Sequence, residues 1–117
     1  FVSSNSFVEK SVEVALLIIQ YCEVLDAHKK HVIAKQLLKS GTSVGANIHE
    51  AQNAESKADF IHKIKIATKE LEETKYWLLL CEKSESYPVP SGLETKVKEL
   101  GLILYKILST SIKSRKH

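Results

Sequence analysis

The sequence predicts an all-α protein, an antiparallel up-and-down four-helix bundle forming a single domain over residues 1–117. Three observations carry that expectation. Apolar residues recur at alternating steps of four and three along separate stretches, the spacing that keeps one stripe of a helix turned to a partner. Serines followed three residues later by an acid stand ahead of those stretches, a pattern in which the hydroxyl caps a backbone N–H and the acid reaches back. No stretch alternates apolar and polar residues between hairpin turns, so no strand is expected.

The first helix is expected at about 6–26, opened by Ser6 with Glu9, with a core seam of Val8, Val12, Ala15, Ile19 and Cys22. Val14, Leu17, Ile18, Tyr21 and Leu25 widen its apolar arc to about 200°, where one core needs roughly 100°. The second helix, about 29–53, holds the run Ser40 to Asn47, rich in glycine and small hydroxyl residues that weaken a helix. Close packing compensates: Gly41 and Gly45 fall one turn apart and admit a neighbouring helix, while Ser40 or Thr42 bonds to the preceding turn. A phosphate-cradling loop is set aside, since no Lys-Ser or Lys-Thr follows the glycines and no strand precedes them.

The third helix, about 57–85, opens with Ser56 and Asp59 and carries the seam Phe60, Ile64, Ala67, Leu71, Thr74, Leu78 and Cys81. The fourth, about 92–113, opens with Ser91 and Glu94 and repeats the pattern with Leu93, Val97, Leu100, Leu104, Ile107 and Ser111. Pro88 and Pro90 break the chain between these two helices without entering either. Helices of this length joined by short links pack antiparallel, giving a bundle some 30 to 40 Å long. The turn His28-Lys29-Lys30-His31 then lies at one end and the basic tail at the other.

Composition narrows the function classes. With 44% apolar and 26% charged residues the chain reads as water-soluble and globular, and no apolar run is long enough to span a membrane. The net charge of +3 is compatible with nucleic acid but too small to announce it, and Arg115 is the only arginine. Cys22 and Cys81 stand in no metal or redox spacing, so reduced core thiols are expected. The chain opens at Phe1, contains no methionine and shows no signal-peptide pattern, which predicts a true start upstream and a cytoplasmic location.

No residue set predicts catalysis, a cofactor or a metal. Asp59-x-x-His62 is half of a bundle metal motif, and Asp59 already serves as a cap partner. His49 and Glu50 point about 100° apart on a helix, with no nucleophile beside them. The His28–His31 cluster reads more simply as a solvated helix entry. A partner surface is better supported. A second stripe on the third helix, Ile66, Glu70, Glu73, Trp77 and Leu80, lies roughly opposite the core stripe, and Leu17 and Tyr21 add to it from the over-apolar first helix. These residues predict self-association, with Trp77 as anchor.

From Gln36-Leu37-Leu38-Lys39-Ser40-Gly41-Thr42-Ser43-Val44-Gly45-Ala46-Asn47-Ile48 through Glu50-Ala51, Ala58-Asp59-Phe60-Ile61, Ala67, Lys69-Glu70, Glu73-Thr74 and Tyr76-Trp77-Leu78, the chain resembles the 23S rRNA-intervening-sequence proteins. The resemblance covers about Gln36 to Leu80. Lys39 stands where that family often has arginine, and His49 where it often has a small or apolar residue. It implies a small four-helix bundle assembled as a ring-shaped homopentamer. A similar group, the accessory variability proteins of diversity-generating retroelements, uses such a pentamer as a basic platform for nucleic acid and a reverse transcriptase. The implied partners are thus RNA or DNA and a protein. The lysines outside the acidic stripe are the candidate contacts: Lys29, Lys30, Lys35, Lys39, Lys63, Lys65, and Lys113, Arg115 and Lys116 of the tail. No aromatic residues interleave with them, so binding would follow the backbone and weaken with salt. A scaffold binding only proteins stays open beside it.

Overall fold

Each amphipathic stretch forms one helix: α1 (Asn5–Ala27), α2 (His31–Gln52), α3 (Lys57–Lys83) and α4 (Leu93–Arg115), with no strand among the described residues. The computed structural model describes residues 5–115, and side chains from 6 to 113. Every helix packs on its neighbour in sequence, and α4 closes the bundle against α1. The molecule measures 51 × 21 × 21 Å.

Side-chain pairs show the antiparallel register directly. Along α1 and α2, Cys22 meets Ala34, Ile18 meets Gly41 and Ser11 meets Gly45. Along α2 and α3, Ser40 meets Thr74 and Glu50 meets Lys63. Along α1 and α4, Lys10 meets Glu99 and Glu13 meets Lys96. The core between them holds Ile18, Leu37, Ile48, Phe60, Ile64, Leu71 and Leu104, all nearly solvent-free.

The expected seams of α3 and α4 hold, with every α3 position buried and only Ile107 of α4 half-buried. The seam of α1 is corrected. Phe7, Ser11, Val14, Ile18, Cys22 and Leu25 face inward, while Val12 and Ile19 are 41% and 38% exposed. Because the apolar arc of α1 is about twice as wide as one core needs, periodicity leaves two registers one residue apart. Gly41 decides between them: a methyl built there would lie 2.7 Å from Ile18 Cγ2, so Ile18 fills the space glycine leaves.

Caps divide similarly. Ser56 Oγ accepts the Asp59 N–H at 3.0 Å as expected, although Asp59 Oδ2 reaches back one residue further, to the Glu55 N–H at 3.2 Å. Ser6 does not open α1, because Asn5 before it is already helical. Nor does Ser91 cap α4, since Gly92 with φ 79° stands between it and Leu93. The α1–α2 turn ends in a Schellman motif. The Lys30 N–H bonds Leu25 O at 2.8 Å and the Lys29 N–H bonds Asp26 O at 2.9 Å, with Lys29 left-handed at φ 62°. That turn keeps residues 28–30 outside α2, which begins at His31.

Candidate interaction surfaces

The small residues of α2 settle what the helix can present. Ser40, Gly41, Val44 and Gly45 are buried against α1 and α3, so this run is a packing seam and offers no loop to an anion. The Ser40 and Thr74 hydroxyls lie 2.9 Å apart in the core, and Thr74 Oγ1 is also 2.9 Å from Glu70 O. Ser40 Oγ stands 3.4 Å from Leu37 O, so the two hydroxyl protons and their acceptors form one closed set. Thr42 bonds back to Leu38 O at 2.6 Å.

The α1–α2 turn and the outward side of α2 carry unpaired lysines. Lys29, Lys35 and Lys39 are exposed and enter no ion pair among the described residues. Lys30 instead folds over the Tyr87 ring, 4.9 Å from its centroid, with Nζ donating to Ser86 Oγ at 3.4 Å. Lys63 pairs with Glu50 at 2.8 Å, which raises its pKa. Lys65 and Lys113 are exposed, whereas the Arg115 side chain and Lys116 lie outside the described residues. The lysines therefore spread along the bundle and do not converge on one site.

On α3, Ile66, Glu70, Trp77 and Leu80 are half-buried and Glu73 is exposed. Trp77 Nε1 donates to Glu73 Oε2 at 3.3 Å, and the ring meets Tyr76 edge-on at 5.3 Å. Leu17 is half-buried and Tyr21 buried, its hydroxyl donating to Pro88 O at 2.7 Å. Both line a groove of about 430 Å³ with Val24 and Val89. The stripe that sequence reasoning missed is on α1: Val12, Leu16 and Ile19, at steps of four and three, are 41%, 53% and 38% exposed. Leu38 of α2 is also exposed.

Potential reactive groups are tied down. His49 Nδ1 donates to Gly45 O at 2.8 Å while Glu50 turns to Lys63, so the adjacent pair is split. His31 Nδ1 meets Asp26 Oδ1 at 2.9 Å, and His28 Nδ1 lies 2.9 Å from Val24 O. Both thiols are buried and free; burial, then Asp26 and Cys81, pushes the Cys22 pKa up to about 12. Burial likewise raises Cys81, and the neighbouring Tyr21 hydroxyl partly offsets the rise. Among the described residues no group of three or more His, Cys, Asp or Glu could hold a metal, and no helix is long and apolar enough to cross a membrane.

Comparison with known proteins places this geometry. A family model described as 23S rRNA-intervening sequence protein matches residues 3–106. A crystal structure of a protein of unknown function from the S23 ribosomal protein family of Bacteroides thetaiotaomicron is 40% identical, with a TM-score of 0.82. That similarity covers 87% of this chain and 97% of that one. None of the curated proteins matches the chain.

Proposed function

Because this chain belongs to the 23S rRNA-intervening sequence protein family, we propose that it is a non-catalytic, self-associating platform that holds nucleic acid by its backbone. The observation that carries the self-association is the α1 stripe of Val12, Leu16 and Ile19, left uncovered within one subunit. A second stripe, half-covered, runs along α3 through Ile66, Trp77 and Leu80. The two stripes differ, so joining one to the other makes a head-to-tail contact, which closes into a ring where the rotation allows. The family resemblance makes a ring of five the expected size.

Assembly would repeat Lys29, Lys35 and Lys39 around the ring, adding weak contacts by multivalency. Lysine gives point charges without the bidentate fork of arginine, so the contact would follow phosphates and carry little sequence preference. The test pairs light scattering with a mobility-shift titration of structured RNA and duplex DNA over a salt series. An oligomer whose affinity falls steeply with salt is expected. A clean 13.1 kDa monomer removes the platform. No retardation at low salt removes the nucleic acid.

A second reading is a scaffold that binds proteins alone. The spread of the lysines along 51 Å and the pairing of Lys63 with Glu50 favour it. An oligomer that leaves RNA and DNA unshifted at low salt would select it.

A further inference from the structure

Between α3 and α4 lies a groove of about 350 Å³, on a side of the bundle distinct from the two stripes proposed for self-association. Its floor is Leu78, Leu79 and Val97, of which Leu79 is 46% exposed and the others buried. Glu82 and Glu94 line one end, towards the proline loop. Lys98 lies further along, one turn past Glu94 on α4. Lys75 also borders the groove, but its Nζ is already 3.2 Å from Glu72.

The two glutamates face each other from antiparallel helices, and neither joins an ion pair among the described residues. Burial, together with the charge and hydrogen bond of Glu82, holds the Glu94 carboxyl above its ordinary range. Two like charges brought together beside an apolar floor are relieved by a cation placed between them. Lys98, next to Val97 and one turn from Glu94, offers the opposite charge, so the groove is negative at one end and, one turn along, apolar with a positive flank.

We propose that this groove takes an amphipathic helix of a partner protein, with a lysine or arginine over Glu82 and Glu94, a leucine-sized residue on the Leu78–Leu79–Val97 floor and a carboxylate at Lys98. A bound helix presents side chains at i, i+3 and i+4 on one face, a reach of one turn that matches the step from Glu94 to Val97 and Lys98. Charge complementarity sets the order of its residues, and the apolar contact supplies the rest of the affinity. The helix would lie in the groove as a further member of the bundle.

The probe is an alanine-based helical peptide carrying Arg, Leu and Glu at i, i+3 and i+4, titrated into the isotope-labelled full chain and followed by amide chemical shifts. Saturable shifts concentrated at Leu79, Glu82, Glu94, Val97 and Lys98 are expected. The Glu82→Gln/Glu94→Gln variant should weaken binding about fivefold, the size that two exposed ion pairs supply. Both positions are exposed, so the variant keeps the fold. A peptide with its arginine replaced by glutamate should leave those amides unmoved. Shifts centred elsewhere, no shifts at all, equal binding of the arginine-free peptide, or indifference to the double variant would each overturn the proposal. Because the groove lies apart from the stripes on α1 and α3, loss of self-association leaves this test unaffected.

Discussion

The seams of α2 and the seat of α4 are built on different terms. At α2, backbones approach until a missing side chain matters: Ile18 occupies the space above Gly41, Cys22 donates to Ala34 O at 3.4 Å, and the Ser40–Thr74 hydroxyl pair is fully enclosed. At α4, an apolar stripe is flanked by surface ion pairs, Glu13 with Lys96 at 3.0 Å and Lys10 with Glu99 at 3.8 Å, all well exposed. Shape fixes the first; area and diffuse charge hold the second. The difference teaches where this bundle is intolerant of change and where it can adapt.

The largest expected effect is at Gly41. Alanine there gains about 1 kcal/mol of helix propensity, but its methyl meets the stiff stem of Ile18, with Cγ2 at 2.7 Å, Cγ1 at 3.0 Å and Cβ at 3.3 Å. Overpacking of this kind costs roughly 1–3 kcal/mol and requires the backbone to shift. Gly41→Ala should therefore lower the urea midpoint. Gly45→Ala is the contrast, because the nearest atom to its methyl is Ser11 O at 3.6 Å, an ordinary contact. It should stabilise by up to about 1 kcal/mol. If both glycines respond alike, the seam is not set by the Ile18 contact.

Next in size is the enclosed hydroxyl pair. Thr74→Val keeps the shape and leaves Ser40 Oγ only its 3.4 Å contact with Leu37 O, at a cost of about 1 kcal/mol. Ser40→Ala alone should cost a comparable amount, and the two together clearly less than their sum. Additive losses in that double-mutant cycle would mean that the hydroxyls stabilise the helices separately and do not join α2 to α3. The corresponding test on the other side is Gly101→Ala. Its methyl would meet Leu71 Cδ2 at 3.0 Å and Lys75 Nζ at 3.3 Å, both ends of flexible side chains that can swing away. Stability should rise by a few tenths of a kcal/mol or stay unchanged. A loss as large as that of Gly41→Ala would show α4 pinned as tightly as α2.

The same contrast explains what was legible in the sequence. On α3 and α4 the apolar positions alternate with charges, so Phe60 to Cys81 and Leu93 to Ser111 could be read as inward before any coordinates. On α1 they could not, because an apolar arc of about 200° is wider than one inner face, and the deciding contact comes from Gly41 in another helix. One consequence is an exchange of roles: Val12 and Ile19, expected in the core, belong to the exposed stripe. Ser56 was readable as a cap because nothing helical precedes it, whereas Asn5 and Gly92 displaced Ser6 and Ser91. The groove carried no sequence signal, since Glu82 and Glu94 belong to different helices and meet only through the antiparallel register.

The smallest expected effect probes that meeting. The Glu94 carboxyl is raised above its ordinary value of 4.5, first by burial and then by the charge and hydrogen bond of Glu82. Lys75 and Lys98 share the groove with it, and Tyr21 feels its charge from α1. A carboxyl raised in the folded state holds its proton there more tightly than in the unfolded chain, so it contributes stability at low pH that is lost as pH rises through the folded pKa. Glu94→Gln removes the titration. The stability of the variant relative to the parent chain should therefore increase between about pH 4 and pH 7, measured as the shift in urea midpoint at each pH. The size is discounted by the exposure of the pair, since water screens most of the repulsion. A relative stability that instead falls over that interval would mean that Lys98 or Lys75 already compensates Glu94. The negative end of the groove would then offer a cation nothing, and the α3–α4 side would be as self-satisfied as the buried α2–α3 seam.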